Sequence, residues 1–370
     1  MQERYYLSDK GIRQAIEQNV LSFTPSLSPQ QIQPASVDLH LEYIDDLFPL
    51  PVLLPMFSSS KFVLPSQGII PAGFEATLAM TQGMRCSRAL NSTTELRSSL
   101  RRISCHTPSG ITMLAGKNCL GVELHNSGPI DIHVSRGDKI AQLLFFFSPT
   151  FEHSMHNAGF EGYEYGAVAY EQLLTLDHGV MIQTSNEARM LLRDGYFSVS
   201  PNVRFEKGML RVHAGKTAQV LRKNIALTFS AKQDITSFFE TVTLPYTVRS
   251  GEHVVVDTKE SLNLSKHIGL HFYDYLNGTS RGFSFSRTPQ QQLLADIPLS
   301  SIPDGWIDPG YTGVFSRQPK TYSKEGVTIR EGDVLGHGMI IYFPNGVERP
   351  YGSQELGSHY QNAKTTQMMQ

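Results

Sequence analysis

Residues 8–25 of this chain recur, without a gap, as residues 184–201. Arg13 falls on Arg189, Ser22 on Ser198 and Pro25 on Pro201. In the first stretch Ser8 or Asp9 can cap a helix, and Ile12, Ala15, Ile16 and Val20 follow at helical spacing. Each stretch therefore predicts a capped amphipathic helix followed by a short strand that stops at a proline. A repeat this long implies a duplicated domain, because solenoid periods are only about 20–50 residues. Two later pairs continue the echo: Pro71–Leu78 with Arg249–Val256, and Arg136–Ile140 with Glu331–Leu335. The offset widens along the chain, so the second copy carries insertions, with Thr288–Trp306 the expected one.

Outside the two helices the sequence is short runs of Val, Ile, Phe and Thr punctuated by Gly, Pro, Asn and Ser, including Ala141–Phe147 and Gly336–Phe343. This predicts a mainly β chain of sandwich or jelly-roll type. At 370 residues two domains are the natural expectation. Their boundary is placed in Gly159–Gln172, which gives units 1–168 and 169–370.

A formal charge of −2 with 18% charged residues shows no global basic excess that would argue for nucleic-acid binding. The apolar run Leu47–Phe57 is too short to span a bilayer and is broken by Pro49, Pro51 and Pro55. The polar start Met1–Tyr6 carries no leader pattern. Cys86, Cys105 and Cys119 form no Cys-x-x-Cys, which fits a reducing cytoplasm.

Chemistry concentrates between Glu95 and Asn126. Arg97, Ser98, Ser99, Arg101 and Arg102 place two hydroxyls and three guanidinium groups within six residues. Such donors suit polyphosphate oxygens, which need many donors and no acceptors. Downstream, Glu123 sits in the apolar run Gly121–Asn126, a setting that raises a carboxyl pKa and suits proton transfer. By residue type alone, an arginine run is a solvated face and a strand glutamate an exposed one.

Resemblance to a known family favours the functional reading. Arg97–Arg102 and Gly121–Gly128 resemble the Arg-Ser-Ser-x-x-Arg and Leu-Glu-Phe-x-Asn-Ser-Gly motifs of dCTP deaminases, in the dUTPase superfamily. Ile32–Leu41 is similar to that family's Ile-x-x-Ala-x-Val-Asp strand, and Arg349–Tyr351 with His359–Gln361 to its C-terminal arm. The chain resembles the long, duplicated type, which implies two tandem dUTPase-like distorted jelly-roll or β-barrel domains, each opening with a short α-helix. The family's Asp-Pro-Gly-Tyr loop is missing before Glu123 and stands in the second copy as Asp308–Gly313. There the acid position holds Gln318, and the Arg-Ser-Ser equivalent is at best Ser280–Ser284. Either the first copy is catalytic and the second structural, or the site is composite; the composite reading is preferred.

The resemblance implies hydrolysis of dCTP to dUTP and ammonia, with Glu123, Ser98 and Arg102 catalytic. Arg97, Ser99, Asp308, Tyr311, Tyr351, His359, Tyr360 and Gln361 would bind substrate, and Asp38 would be structural. Mg²⁺ would arrive with the triphosphate, and a trimer-like homo-oligomer is implied. The zinc route to deamination needs a Pro-Cys-x-x-Cys run, absent here, so no zinc and no other protein-held metal is expected. Alternatives are a dUTP diphosphatase with Asp308 activating water, a bifunctional enzyme releasing dUMP, and a non-catalytic nucleotide sensor.

Overall fold

The computed structural model describes residues 4–49, 67–87, 89–97, 100, 105–107, 111–113, 118–126, 131–149, 164–165, 170–201, 203–221, 227–228, 238–249, 252–273, 283–284, 303–321, 326–356 and 361–362. The fold is mainly β. The repeated helices are present as Asp9–Glu17 and Ser185–Arg193. The hydroxyl of Ser8 accepts from the Gly11 N–H at 3.0 Å. Thr184 and Glu187 form a reciprocal capping box, a device worth about 1 kcal/mol per helix. The first helix stops earlier than its apolar spacing predicts, because Asn19 takes a left-handed φ of 56° and Val20 turns away into the strand Leu21–Thr24. That strand and its repeat Phe197–Ser200 both end at cis-prolines, Pro25 and Pro201.

Two long strands, Val37–Pro49 and Met209–Leu221, occupy corresponding places. The first pairs at its start with Lys139–Phe147 and then, through bulges near Leu41 and Ile44, with Phe74–Met80. The second pairs with Val334–Tyr342 and then, past a shift near Ala214, with Val254–Leu264. A bulge bends a strand and increases its twist, so each long strand can serve two sheets, as a jelly roll requires.

The two halves are joined through backbone. Tyr5–Leu7 pairs antiparallel with His178–Met181 (Tyr6 opposite Gly179), and each also pairs with the last long strand of its own half. Gly179 is required there: a Cβ would lie 2.7 Å from the Phe343 ring. Asp177 adds side-chain ties, accepting from Ser8 and from Asn345 Nδ2 at 2.7 Å. Asp9 accepts from the backbone N–H groups of Glu348 and Arg349, both at 3.0 Å.

Apolar packing follows the same division. One buried cluster is built mainly from residues 7–176, and a second lies within residues 182–340. A third fills the seam with Tyr6, Leu144, Phe146, Met181, Met209, Met339, Ile341 and Phe343. Exchange is not wholly confined to the seam, since Leu221, Phe238, Phe239 and Val255 pack into the first cluster. The expected boundary at 168 falls among residues outside those described. Of the expected insertion, Pro303–Trp306 belongs to a strand paired with Ile268–Tyr273, and its earlier part lies outside the described residues. Among the described residues, no helix is long and apolar enough to cross a membrane.

Candidate active site

The Asp308–Gly313 loop lies at the seam because the strand before it, Pro303–Ile307, packs against Asn91–Leu96 of the N-terminal half. Trp306 stacks on Tyr6 with centroids 6.0 Å apart and meets His271 edge-on. The Tyr6 hydroxyl and His271 Nδ1 are 2.9 Å apart, and the other nitrogen of His271 is 3.5 Å from buried Glu95. These contacts set Trp306 and Asp308 beside the strand that leads into Arg97.

There Asp38, fully buried, lies 3.0 Å from Arg97 Nη1 and 3.1 Å from Lys139 Nζ. Two cations on one carboxylate fix both guanidinium and ammonium at the rim. Asp308 is half-buried and accepts from the Trp306 indole at 2.8 Å. Burial pushes its carboxyl up to about 6, against the Trp306 hydrogen bond and the charge of Arg97 and helped by Asp38. Asp308 of the C-terminal half and Arg97 and Asp38 of the N-terminal half thus share one electrostatic neighbourhood. His40 belongs to it as well. Burial lowers its pKa, Asp38 opposes this, and Lys139 and Arg97 add to the lowering. His40-Leu41-Glu42 has the His-x-Glu spacing of zinc deaminases, but the chain has no cysteine pair to complete that signature.

The C-terminal arm closes on the same loop. Gly310 takes a φ of +92°, and a Cβ there would meet Pro350 at 2.7 Å, so only glycine allows both the turn and the arm's approach. Tyr351 donates its N–H to Pro309 O at 2.7 Å and packs its ring 5.7 Å from that of Tyr311. Gln361 accepts from the Thr312 N–H at 3.0 Å and donates to Gly310 O at 2.9 Å. Tyr311 itself is buried in the C-terminal core, its hydroxyl donating to Val314 O. Its position makes it a support for the loop.

Glu123 occupies the middle of Leu120–Asn126, opposite Thr77. Thr77 in turn faces Asp46, eight residues along the long strand from Asp38. The acid and the Asp38–Arg97 pair therefore attach to different ends of one strand. Beside Glu123, His125 brings Nε2 to 2.7 Å from Glu123 Oε1 and 3.2 Å from Glu75 Oε2. Burial raises the Glu75 pKa, His125 opposes this and Glu123 adds to it.

Among the expected site residues, Asp308, Tyr311, Tyr351 and Gln361 come together, with Arg97 nearby. Ser98, Ser99, Arg102, His359 and Tyr360 lie outside the described residues, as does most of Ser280–Ser284. Lys139, Trp306, His125 and Glu75 were not anticipated. The i, i+2 spacing of Glu123 and His125 was a readable signal, since it puts both on one face of a strand.

Comparison with known proteins gives a family match in the N-terminal half and a fold match over the whole chain. Residues 6–148 match the family described as dCTP deaminase-like. A curated relative from Corynebacterium efficiens, named "dCTP deaminase, dUMP-forming", is 28% identical over 120 residues, 32% of this chain and 54% of the relative. The matched stretch thus spans about half the length of that relative. Among solved structures, the 2'-deoxycytidine 5'-triphosphate deaminase of Agrobacterium tumefaciens superimposes with a TM-score of 0.66 at 14% identity. That match covers 93% of this chain and 99% of the other, a likeness of fold that spans both halves.

Proposed function

We propose that this chain, whose residues 6–148 match the dCTP deaminase-like family, hydrolyses dCTP to dUTP and ammonia. The observation that carries the reading is that the matched stretch contains both the arginine–serine run and the strand bearing Glu123. Glu123 would take a proton from water as its oxygen attacks C4 and pass it to the departing ammonia. Arg97, held by Asp38, would face the triphosphate together with Ser98, Ser99 and Arg102. Mg²⁺ would enter bound to the substrate's phosphates, whose oxygens supply most of its octahedral shell. Glu123 would act without a metal on the base.

On this reading the two halves are diverged copies of one domain, and the working site is composite. The C-terminal half contributes Asp308 and the arm residues Tyr351, His359, Tyr360 and Gln361. Glu123 lies across Thr77 from Asp46, whereas Asp38 stands near the start of the same long strand as Asp46. This separation supports a trimer-like homo-oligomer, in which a neighbouring chain completes each site.

A second reading, a bifunctional enzyme that releases dUMP and pyrophosphate, draws on Asp308. A carboxyl titrating near neutrality beside Arg97 is suited to activate water against the α-phosphate, and the curated relative is named dUMP-forming.

Incubation of the protein with dCTP and Mg²⁺, following ammonia and resolving nucleotides by chromatography, tests both. Ammonia and dUTP from the wild type, lost in Glu123→Gln, are expected. Ammonia with dUMP would select the bifunctional enzyme. Cleavage of dUTP without turnover of dCTP would make it a diphosphatase, and no turnover of either a sensor.

A further inference from the structure

We propose that Glu75, Glu123 and His125 bind one divalent transition-metal ion, and that its binding withdraws Glu123 from proton transfer. Glu123 and His125 are two residues apart on one strand, so both project from the same face of the sheet. Glu75 stands directly across from His125 on the neighbouring strand. One donor atom from each lies within 4.8 Å of the others.

The arrangement of the carboxylates points to a cation. Glu123 Oε1 and Glu75 Oε2 converge on the same ring nitrogen, at 2.7 and 3.2 Å. That nitrogen carries at most one proton and cannot donate linearly to both. A metal ion satisfies all three donors at once. Bonds of about 2.1 Å meeting near right angles put adjacent donor atoms about 3 Å apart, close to the spacing already present between His125 Nε2 and each carboxylate. His125 is 7% exposed, and both strands are locked in the sheet, so the triad is organised in advance. Glu75 and Glu123 are only partly buried, which leaves a side open for water ligands. One imidazole with two carboxylates suits Zn²⁺, Co²⁺, Mn²⁺ or Ni²⁺ better than Ca²⁺ or Mg²⁺. The ion is distinct from any Mg²⁺ carried by the triphosphate.

The regulatory half of the proposal rests on the deaminase reading. A carboxylate that holds a metal ion no longer takes a proton from attacking water, so the ion inhibits.

The test begins with metal-stripped full-length protein titrated with Co²⁺ alone and followed by visible d–d absorption. One saturable equivalent is expected, bleached by Zn²⁺ and weakened at least about tenfold in both Glu75→Gln and His125→Ala. Glu75→Gln, nearly isosteric, keeps the test valid should His125→Ala misfold. No saturable cobalt spectrum, or unchanged affinity in Glu75→Gln, overturns the site. Deamination of dCTP is then assayed against Zn²⁺. Measured against its own metal-free rate, Glu75→Gln should need about tenfold more Zn²⁺ for half-inhibition than the wild type does. Zinc that binds the triad without slowing wild-type turnover overturns the regulatory half. If dCTP is not turned over at all, the deaminase reading fails by itself and the cobalt spectra still decide the metal site.

Discussion

The indole N–H of Trp306 donates to Asp308 Oδ1 at 2.8 Å, holding a half-buried carboxyl of the C-terminal half in the field of Arg97 from the N-terminal half. Burial dominates that carboxyl and lifts it from 3.8 to about 6. The folded state then binds the proton more tightly than the unfolded state does. Stability contributed by this group is present at low pH and lost as pH rises from about 4 through about 6. With allowance for its partial exposure, the loss is about 1–3 kcal/mol. Asp308→Asn keeps the acceptor for Trp306 but cannot ionise, so its stability should fall less between those pH values. Urea unfolding of both proteins at either end of the window measures the difference. Identical slopes would place the Asp308 carboxyl in an ordinary aqueous environment.

Asp38 and Lys139 form an ion pair whose members should respond very unequally to substitution. The carboxylate is fully buried between Arg97 and Lys139, whereas the Lys139 side chain is 43% exposed. Asp38→Asn leaves two cations without their shared anion and should cost about 2–4 kcal/mol. Lys139→Ala removes a solvent-screened charge and should cost under about 1 kcal/mol. Comparable losses for the two in chemical denaturation would mean that Asp38 does not organise this corner.

Much of this was legible in the sequence, and the missing parts have physical reasons. The repeated helices were readable because capping and amphipathic spacing are local, as Ser8 and Thr184 show. The β class was readable because side-chain alternation and turn residues are local too. The apposition of Trp306, His271 and Tyr6 was not, because contacts between halves leave no periodic trace in either. Asp9 could pass as a helix cap from sequence alone, yet it accepts from backbone near residue 348, a partner that only tertiary structure supplies. The His125–Glu75 pairing needed strand register, which a sequence without visible turn geometry does not fix.

Gln361 binds the Asp308–Gly313 loop with both ends of its amide, through Thr312 N–H and Gly310 O. Gln361→Ala removes two hydrogen bonds from the arm, worth about 1–2 kcal/mol of local closure. Because the arm adds little to the core, the melting temperature should stay within about 2 °C of wild type. Limited proteolysis of the C-terminal arm should accelerate, and on the proposed deaminase reading KM for dCTP should rise about tenfold, with kcat less affected. Unchanged proteolysis and KM would show that the clasp neither holds the arm nor serves the nucleotide.

The final prediction concerns how the halves depend on one another. Gly179 lies opposite Tyr6 in the pair of strands that joins them, and an added methyl would meet Phe343 at 2.7 Å and Ile341 at 2.9 Å. Relief would require shifting rings of the seam cluster, so Gly179→Ala should cost about 1–3 kcal/mol. The separate cores of the halves would be left intact, whereas the shared sheet and Met181, Met339 and Phe343 would loosen. Wild type, with strands paired across the seam and side chains of one half in the core of the other, should unfold in urea as one transition. The variant should either shift that transition to lower urea or divide it into two. A split locates the cooperativity in the seam, and a shift without splitting assigns it also to Phe238 and Phe239, which remain packed in the N-terminal core. No change in midpoint or shape would show that the strand pairing at Gly179 contributes nothing to joining the halves.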